Sequence, residues 1–371
     1  MSAAVPARVE APVQELEAEA FTVPTDAPES DGTLRWESTT IVVVHAHAGG
    51  ERGLGYTYGD VSAAKLIESK LSGVVEGCDA MAPQSAWERM IEQSRNLGRP
   101  GIASMAIAAV DVALWDLKAR LLGLPLCKLL GPIREHAAIY GSGGFTAYSV
   151  QRLTQQLSGW VERGIPRVKM KVGSEPDADP TRVRAVRDAI GPNAELFVDA
   201  NGAYSRKQAL ALAQRFREDA QVSWFEEPVS SDDLKGLRLL RDRAPAGMAI
   251  AAGEYGFDAG YFARMLGAGA VDVLQADITR CAGLTELLRV GALCRAANLP
   301  LSLHCGPSIH LHPALALENF VHIEYFHDHV RIEELLFDGT PQPRDGALWP
   351  DLERPGIGLE LKHREAEPYA V

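Results

Sequence analysis

"RVKMKVG" (residues 167–173) is the stretch on which the reading of the chain turns. Val168, Met170 and Val172 alternate with Arg167, Lys169 and Lys171. That is the period of a β-strand, whose successive side chains point to opposite faces. One face is apolar and the sequence runs into a helical pattern after Pro180. The segment therefore reads as a buried parallel strand with two lysines side by side on its inner face, which calls for opposite charge nearby.

The same strand–loop–helix unit repeats on both sides. "AAIYGSGG" comes before a helical pattern at about 149 to 163, and "RVKMKVG" before one near 180 to 190. "ELFVDANG" precedes "SRKQALALAQRF", and "SWFEEPV" precedes "SDDLKGLRLLRD". "IAAGEY" leads into "AGYFARML", and "VDVLQAD" into "GLTELLRVGALCRAAN"; "PLSLHC" and "FVHIEY" complete the series. Alternating β and α with short connections predicts a parallel sheet. Eight strands in succession predict a (β/α)₈ barrel. A doubly wound open sheet is the competing fold, but neither GxGxxG nor GxxxxGK[ST] occurs.

The first third reads differently. "STTIVVVHAHAGG" through "GLGYTYGD" reads as an antiparallel hairpin, and residues 62 to 130 as mostly helical. The clearest helix is "MAIAAVDVALWDLKARLLG", with Ile107, Val110, Leu114, Leu117 and Leu121 on one face. The expected organisation is an α+β capping domain over residues 1–134, with residues 1–20 partly loose. A barrel follows over 135–338, and a segment at 339–371 returns to the cap.

The chain has 371 residues and a formal net charge of −12, which argues against nucleic acid or an anionic membrane as partner. Its five cysteines (Cys78, Cys127, Cys281, Cys294, Cys305) form no CxxC pair, as expected of a reduced, cytoplasmic protein. No signal-peptide pattern opens the sequence, and no apolar run approaches the roughly 18 residues of a membrane span.

Ionisable residues mark the strand ends. Asp199, Glu226, Glu254, Asp277 and His304 follow one another at intervals of 23 to 28 residues, and Glu324 ends the eighth strand. One such group per βα unit places them around the rim where active sites of this fold lie. Any one of them alone would read as a helix cap or turn residue. Converging carboxylates need a cation, and hard oxygen donors without a thiolate favour Mg²⁺ or Mn²⁺ over zinc. Beside a cation, Lys169 and Lys171 would lower each other's pKa, which would suit a neutral lysine base.

The set "KMK", "DAN", "EEP", "GE", Asp277, His304 and Glu324 resembles the enolase superfamily, specifically its mandelate racemase-like group. "ASMAIAAVDVALWDLKARLLGLPLCKLLG" resembles the helical part of that family's cap, and "RPGIGLELK" its closing segment. The resemblance spans nearly the whole chain. It implies that Asp199, Glu226 and Glu254 hold one Mg²⁺, with Glu226 selected over Glu227. It implies that Lys171 is one base and that His304, oriented by Asp277, is the other, on opposite faces of the substrate. Lys169 would sit by the substrate carboxylate and Glu324 would hydrogen-bond the developing enolate. Asn201 and Arg280 would line the site. "TRCAG" (279–283) departs from the more usual Gly-Gly after the sixth strand.

The implied chemistry is abstraction of the proton α to a carboxylate, through an enediolate. Loss of a β-hydroxyl then makes a 2-keto-3-deoxy acid; reprotonation makes a racemase or epimerase of a 2-hydroxy acid. The polar candidates Tyr56, Tyr58, Arg280 and Ser142 suit a polyol, which favours dehydration of a sugar acid. A homo-oligomer, dimer to octamer, is expected. Residues 21–33 and "GYTYGD" (55–60) are expected to choose the substrate, the former as a mobile lid. Two other readings stand further off. The pairs His45/His47, His310/His312 and His327/His329 hint at a zinc amidohydrolase, but only His136 lies between His47 and His304. The last four of those histidines are expected to serve loops or a subunit contact. A non-catalytic binding protein is the other, disfavoured because each catalytic position is filled.

Overall fold

The computed structural model describes residues 10–371. Strands β1 (Glu15–Ser30), β2 (Arg35–Ala48) and β3 (Glu51–Tyr58) form an antiparallel sheet in the order β1-β2-β3. β2 carries an unbroken buried run from Ile41 to Ala46, because both faces of this sheet are covered. Val42, Val44 and Ala46 pack with Ile107, Val110 and Leu114 of the helix Ile102–Leu121. Ile41 and Val43 on the other face join the barrel's core. Gly53 and Gly55 let the helix approach β3: a Cβ there would lie 2.3 Å and 2.2 Å from the carbonyl oxygens of Ala113 and Ala109.

The next eight strands are β4 (Ala137–Gly143), β5 (Arg167–Lys171), β6 (Glu195–Asp199), β7 (Trp224–Glu226), β8 (Ala249–Ala252), β9 (Val273–Ala276), β10 (Leu301–Leu303) and β11 (Phe320–Phe326). Each pairs in parallel with the next, and β11 pairs with β4, which closes the barrel. The (β/α)₈ expectation therefore holds. Tyr140, Phe197, Trp224 and Val273 fill the interior beneath the rim, as side-chain layers do in this fold.

Two expectations are corrected. Residues 1–9 lie outside the described residues, but Glu15 to Ala20 are paired strand rather than loose chain. Residues 21–33 are not a free lid: Phe21 to Pro24 pair with Ile41 to Ser38, and the register shifts only between Pro24 and Glu29. Pro24, Asp26 and Pro28 hid this strand, since proline is tolerated on an edge strand and at a bulge.

Buried acids tie the layers together. Asp111 accepts from the backbone N–H (2.8 Å) and the hydroxyl (2.7 Å) of Thr285, in the first turn of the helix Leu284–Ala296. Asp116 accepts from the N–H groups of Leu54 and Ile357, joining cap and C-terminal segment. Gly32 seats the turn after β1 on the barrel. A Cβ there would meet the carbonyl oxygens of Ala200 at 2.4 Å and Val172 at 2.7 Å.

Candidate active site

The inner-face lysines of β5 meet the carboxylates of the neighbouring strands. Lys169 Nζ lies 2.7 Å from both oxygens of Glu226 and 2.8 Å from Glu324 Oε1. Lys171 Nζ lies 2.5 Å from Asp199 Oδ2. Burial by itself lowers both lysine pKa values, but the carboxylates outweigh it, chiefly Glu226 for Lys169 and Asp199 for Lys171. With the carboxylates unshared, both lysines are thus held protonated; the lowering expected of them belongs to the site with a cation beside them.

Asp199 ends β6, Glu226 ends β7 and Glu254 lies just beyond β8. Their oxygens come within 4.8 Å of one another and all three side chains are buried. Burial raises Glu226 to about 8, and the charge of Asp199 adds to the rise. Among the described residues Glu254 Oε2 has no hydrogen-bond partner; it lies 3.1 Å from His304 Nε2 without hydrogen-bond alignment. Three hard oxygen donors converging on one point fit a Mg²⁺-type cation. Glu227 sits beside this trio with a left-handed φ of 37° and is not part of it.

Across the rim, His304 Nδ1 is 2.8 Å from Asp277 Oδ2. Thr279 donates to Asp277 Oδ1 through its N–H and its hydroxyl, both at 2.7 Å, so the carboxylate cannot turn away. Burial alone would lower the His304 pKa; the neighbouring Cys305 sulfur, Glu254, Glu324 and the Asp277 hydrogen bond override it and hold the ring well above its usual value. Arg280 Nη1 reaches Glu254 Oε1 at 3.2 Å, and its guanidinium lies over the Tyr255 ring. Glu324, on β11, accepts from the hydroxyl of Ser142 and the N–H of Cys305. Burial would raise its pKa, but Lys169 lowers it, so the Glu324–Lys169 pair is ionic.

A cavity of about 360 Å³ opens above these groups. Lys171, Asn201, Glu254, Arg280 and His304 line it from the barrel, and Tyr58 from the cap. Ser142 does not: it is fully buried and bonded to Glu324 beneath the rim. Tyr56 is also buried and donates to Glu333 at 2.8 Å. Sequence reasoning missed Asp31 as a single residue, Trp36, Thr39 and Met105 of the cap, and Tyr255, Cys305 and His329 of the barrel. Tyr255 and Cys305 were findable, since each directly follows a strand-end group. Of the paired histidines, His310 and His312 bond backbone groups of neighbouring loops, and His327 faces Asp26 of the cap. His329, expected in a loop or subunit contact, stands on the cavity wall. Neither His45 nor His47 joins a cluster of metal-ligating groups among the described residues. No described helix is long and apolar enough to cross a membrane.

Residues 18–131 match the mandelate racemase/muconate lactonizing enzyme N-terminal domain, and residues 152–366 the enolase C-terminal domain-like family. A mandelate racemase/muconate lactonizing enzyme-like protein from Rubrobacter xylanophilus has a solved structure at 59% identity. It superposes with a TM-score of 0.95, covering 97% of this chain and 100% of that one. The 3,6-anhydro-alpha-L-galactonate cycloisomerase of Streptomyces coelicolor is 32% identical, over 94% of this chain and 96% of its own length. L-talarate/galactarate dehydratase of Salmonella typhimurium is 30% identical, over 85% of this chain and 78% of its own length. An L-talarate/galactarate dehydratase variant solved with Mg and L-glucarate superposes with a TM-score of 0.90 at 26% identity, covering 100% of this chain and 96% of that one. The chain belongs to the mandelate racemase/muconate lactonizing enzyme family of the enolase superfamily.

Proposed function

We propose that this protein removes the α-proton of a sugar acid and expels the β-hydroxyl, giving a 2-keto-3-deoxy acid. The observation that carries the reading is the opposition of Lys171 and His304–Asp277 across one cavity, with Asp199, Glu226 and Glu254 beside them. We assign those three carboxylates to Mg²⁺; an L-talarate/galactarate dehydratase variant of the same fold was solved with Mg. When bound, the ion supplies a Lewis acid that acidifies the α-proton of a coordinated carboxylate.

The remaining work belongs to the chain. Lys171, on β5, takes the α-proton from one face as the neutral amine, after its ammonium has given up a proton to solvent. Asp199 holds its ammonium in place before substrate enters. Lys169, under the same wall, places a fixed positive charge beside the substrate carboxylate, where negative charge grows during proton removal. Glu324 holds Lys169 at 2.8 Å and so sets its position. His304, kept in one orientation by Asp277, gives its proton to the departing β-hydroxyl from the other face. Cap residues, among them Trp36, Thr39 and Met105, form the upper wall of the cavity, where they would limit the access of water.

A ring ether oxygen on the β-carbon would leave by the same step. The Streptomyces cycloisomerase favours that second reading. A panel of linear and anhydro sugar acids, assayed for 2-keto acid with Mg²⁺ present, tests both. Production from a linear acid supports dehydration, and turnover of anhydro acids alone transfers the assignment to ring opening. α-Proton exchange without any 2-keto acid would mark a racemase or epimerase. We further propose a homo-oligomer, which light scattering would contradict by finding only monomer.

A further inference from the structure

His329 lies in the helix His327–Leu336, which follows β11 directly. Its ring is held on three sides. It stacks on Tyr58 of the cap, with centroids 3.4 Å apart and planes 11° from parallel. Phe326 meets it edge-on, with centroids 5.1 Å apart. Its Nδ1 accepts the backbone N–H of Gly306 at 3.2 Å. A ring nitrogen that accepts a backbone N–H carries no proton, so the proton of the neutral ring sits on Nε2. Burial keeps the ring neutral, pushing its pKa down to about 3.

Among the described residues no group accepts a hydrogen bond from His329 Nε2, yet the residue lines the cavity with Lys171 and His304. Gly306, which fixes the tautomer, is two residues beyond His304. The ring is thus a rigid, neutral donor on the His304 side of the cavity. We propose that His329 is a substrate-binding residue whose Nε2–H donates to a hydroxyl or ring oxygen of the substrate's polyhydroxy chain beyond the α-carbon. This rests on the sugar-acid reading. A carboxylate or alcohol oxygen accepts such a bond, whereas a hydrocarbon or aryl group in its place would leave the donor unpaired, which penalises apolar 2-hydroxy acids.

Two variants separate this donor role from a scaffold role. In His329→Asn the shorter amide keeps an acceptor for Gly306 but loses the donor at the Nε2 position. In His329→Gln the longer amide restores a donor there. Steady-state kinetics use the sugar acid that wild type turns over fastest, with thermal melts to verify folding. The expected result is a KM about tenfold higher for His329→Asn with kcat little changed, and recovery toward wild type in His329→Gln. Both variants like wild type, both equally impaired, or only His329→Gln impaired would each overturn the donor role. If either variant fails to fold, the wild type is compared on its substrate and on deoxy analogues of it. A roughly tenfold KM rise confined to one hydroxyl position is then required, abolished in His329→Asn if that is the variant that folds and retained in His329→Gln if that one is. Failure of wild type on every sugar acid would instead remove the parent reading and this one with it, an outcome visible before any variant is made.

Discussion

The two walls of the cavity are built on different logic. The barrel wall places ionisable groups at the ends of the strands from β5 to β11, and they are held by charged neighbours: Lys169 by Glu226, Lys171 by Asp199, His304 by Asp277. The cap wall offers Asp31, Trp36, Thr39, Tyr58 and Met105, which share neither a charge nor a spacing. The first wall is suited to moving protons, and the second to fitting a shape. Substitutions in the first should therefore abolish chemistry, whereas substitutions in the second should redistribute it among substrates.

The largest effect is expected from the carboxylate trio. Treatment with EDTA should remove activity and Mg²⁺ should restore it, while Zn²⁺ should not. Asp199→Asn should lose both turnover and Mg²⁺ binding by calorimetry. Retention of tight Mg²⁺ binding in that variant would move the ion elsewhere.

Next come the two bases. Lys171→Ala should lower turnover by about 10²- to 10⁴-fold, the usual range for a positioned acid or base. His304→Asn should stop 2-keto acid formation while exchange of the substrate α-proton in D₂O, followed by proton NMR, continues through Lys171. If His304→Asn leaves product formation intact, the two-base assignment is wrong.

A smaller effect is expected from the cap. Thr39→Ala and Met105→Ala should shift kcat/KM between sugar acids by about tenfold, as lost contacts of one hydrogen bond or a few methylenes do. Their α-exchange on the best substrate should survive. A uniform loss across all substrates would erase the division of labour between the walls.

The smallest effect concerns Glu29, which lies buried at the bulge of β1 and accepts from Trp36 Nε1 at 2.9 Å. Burial, helped by Asp328, raises its pKa from 4.5 to about 8. The folded protein therefore binds this proton more tightly than the unfolded chain. The associated stability is fully present below about pH 4.5 and is lost as pH rises toward 8. Glu29→Gln should thus melt a few degrees above wild type at the alkaline end of that window and converge with it at the acid end. A melting difference independent of pH would contradict this.

The same contrast explains what could be read from sequence. The barrel was legible because each βα unit repeats its own local pattern, and its chemistry because charged groups at apolar strand ends are conspicuous. β1 was not legible, since Pro24, Asp26 and Pro28 break the alternation and its partner β2 supplies most of the pairing information. The fate of Ser142 was equally hidden: strand alternation cannot tell a hydroxyl at the rim from one directed at Glu324 below it. His329 was missed because its importance depends on Gly306 and Tyr58, which are 23 and 271 residues away in sequence.

Gly32 has a consequence for how such an enzyme changes its diet. Its α-carbon rests on the backbone of the two segments that follow β5 and β6, leaving no room for a side chain. Asp31 and Leu34, on either side of it, both border the cavity. The turn is a jaw with a fixed hinge pin and exchangeable teeth. A library that varies residues 31 and 34 while sparing 32 would sample new substrates without unseating the cap. The same library extended to residue 32 would fill with variants whose jaw no longer closes.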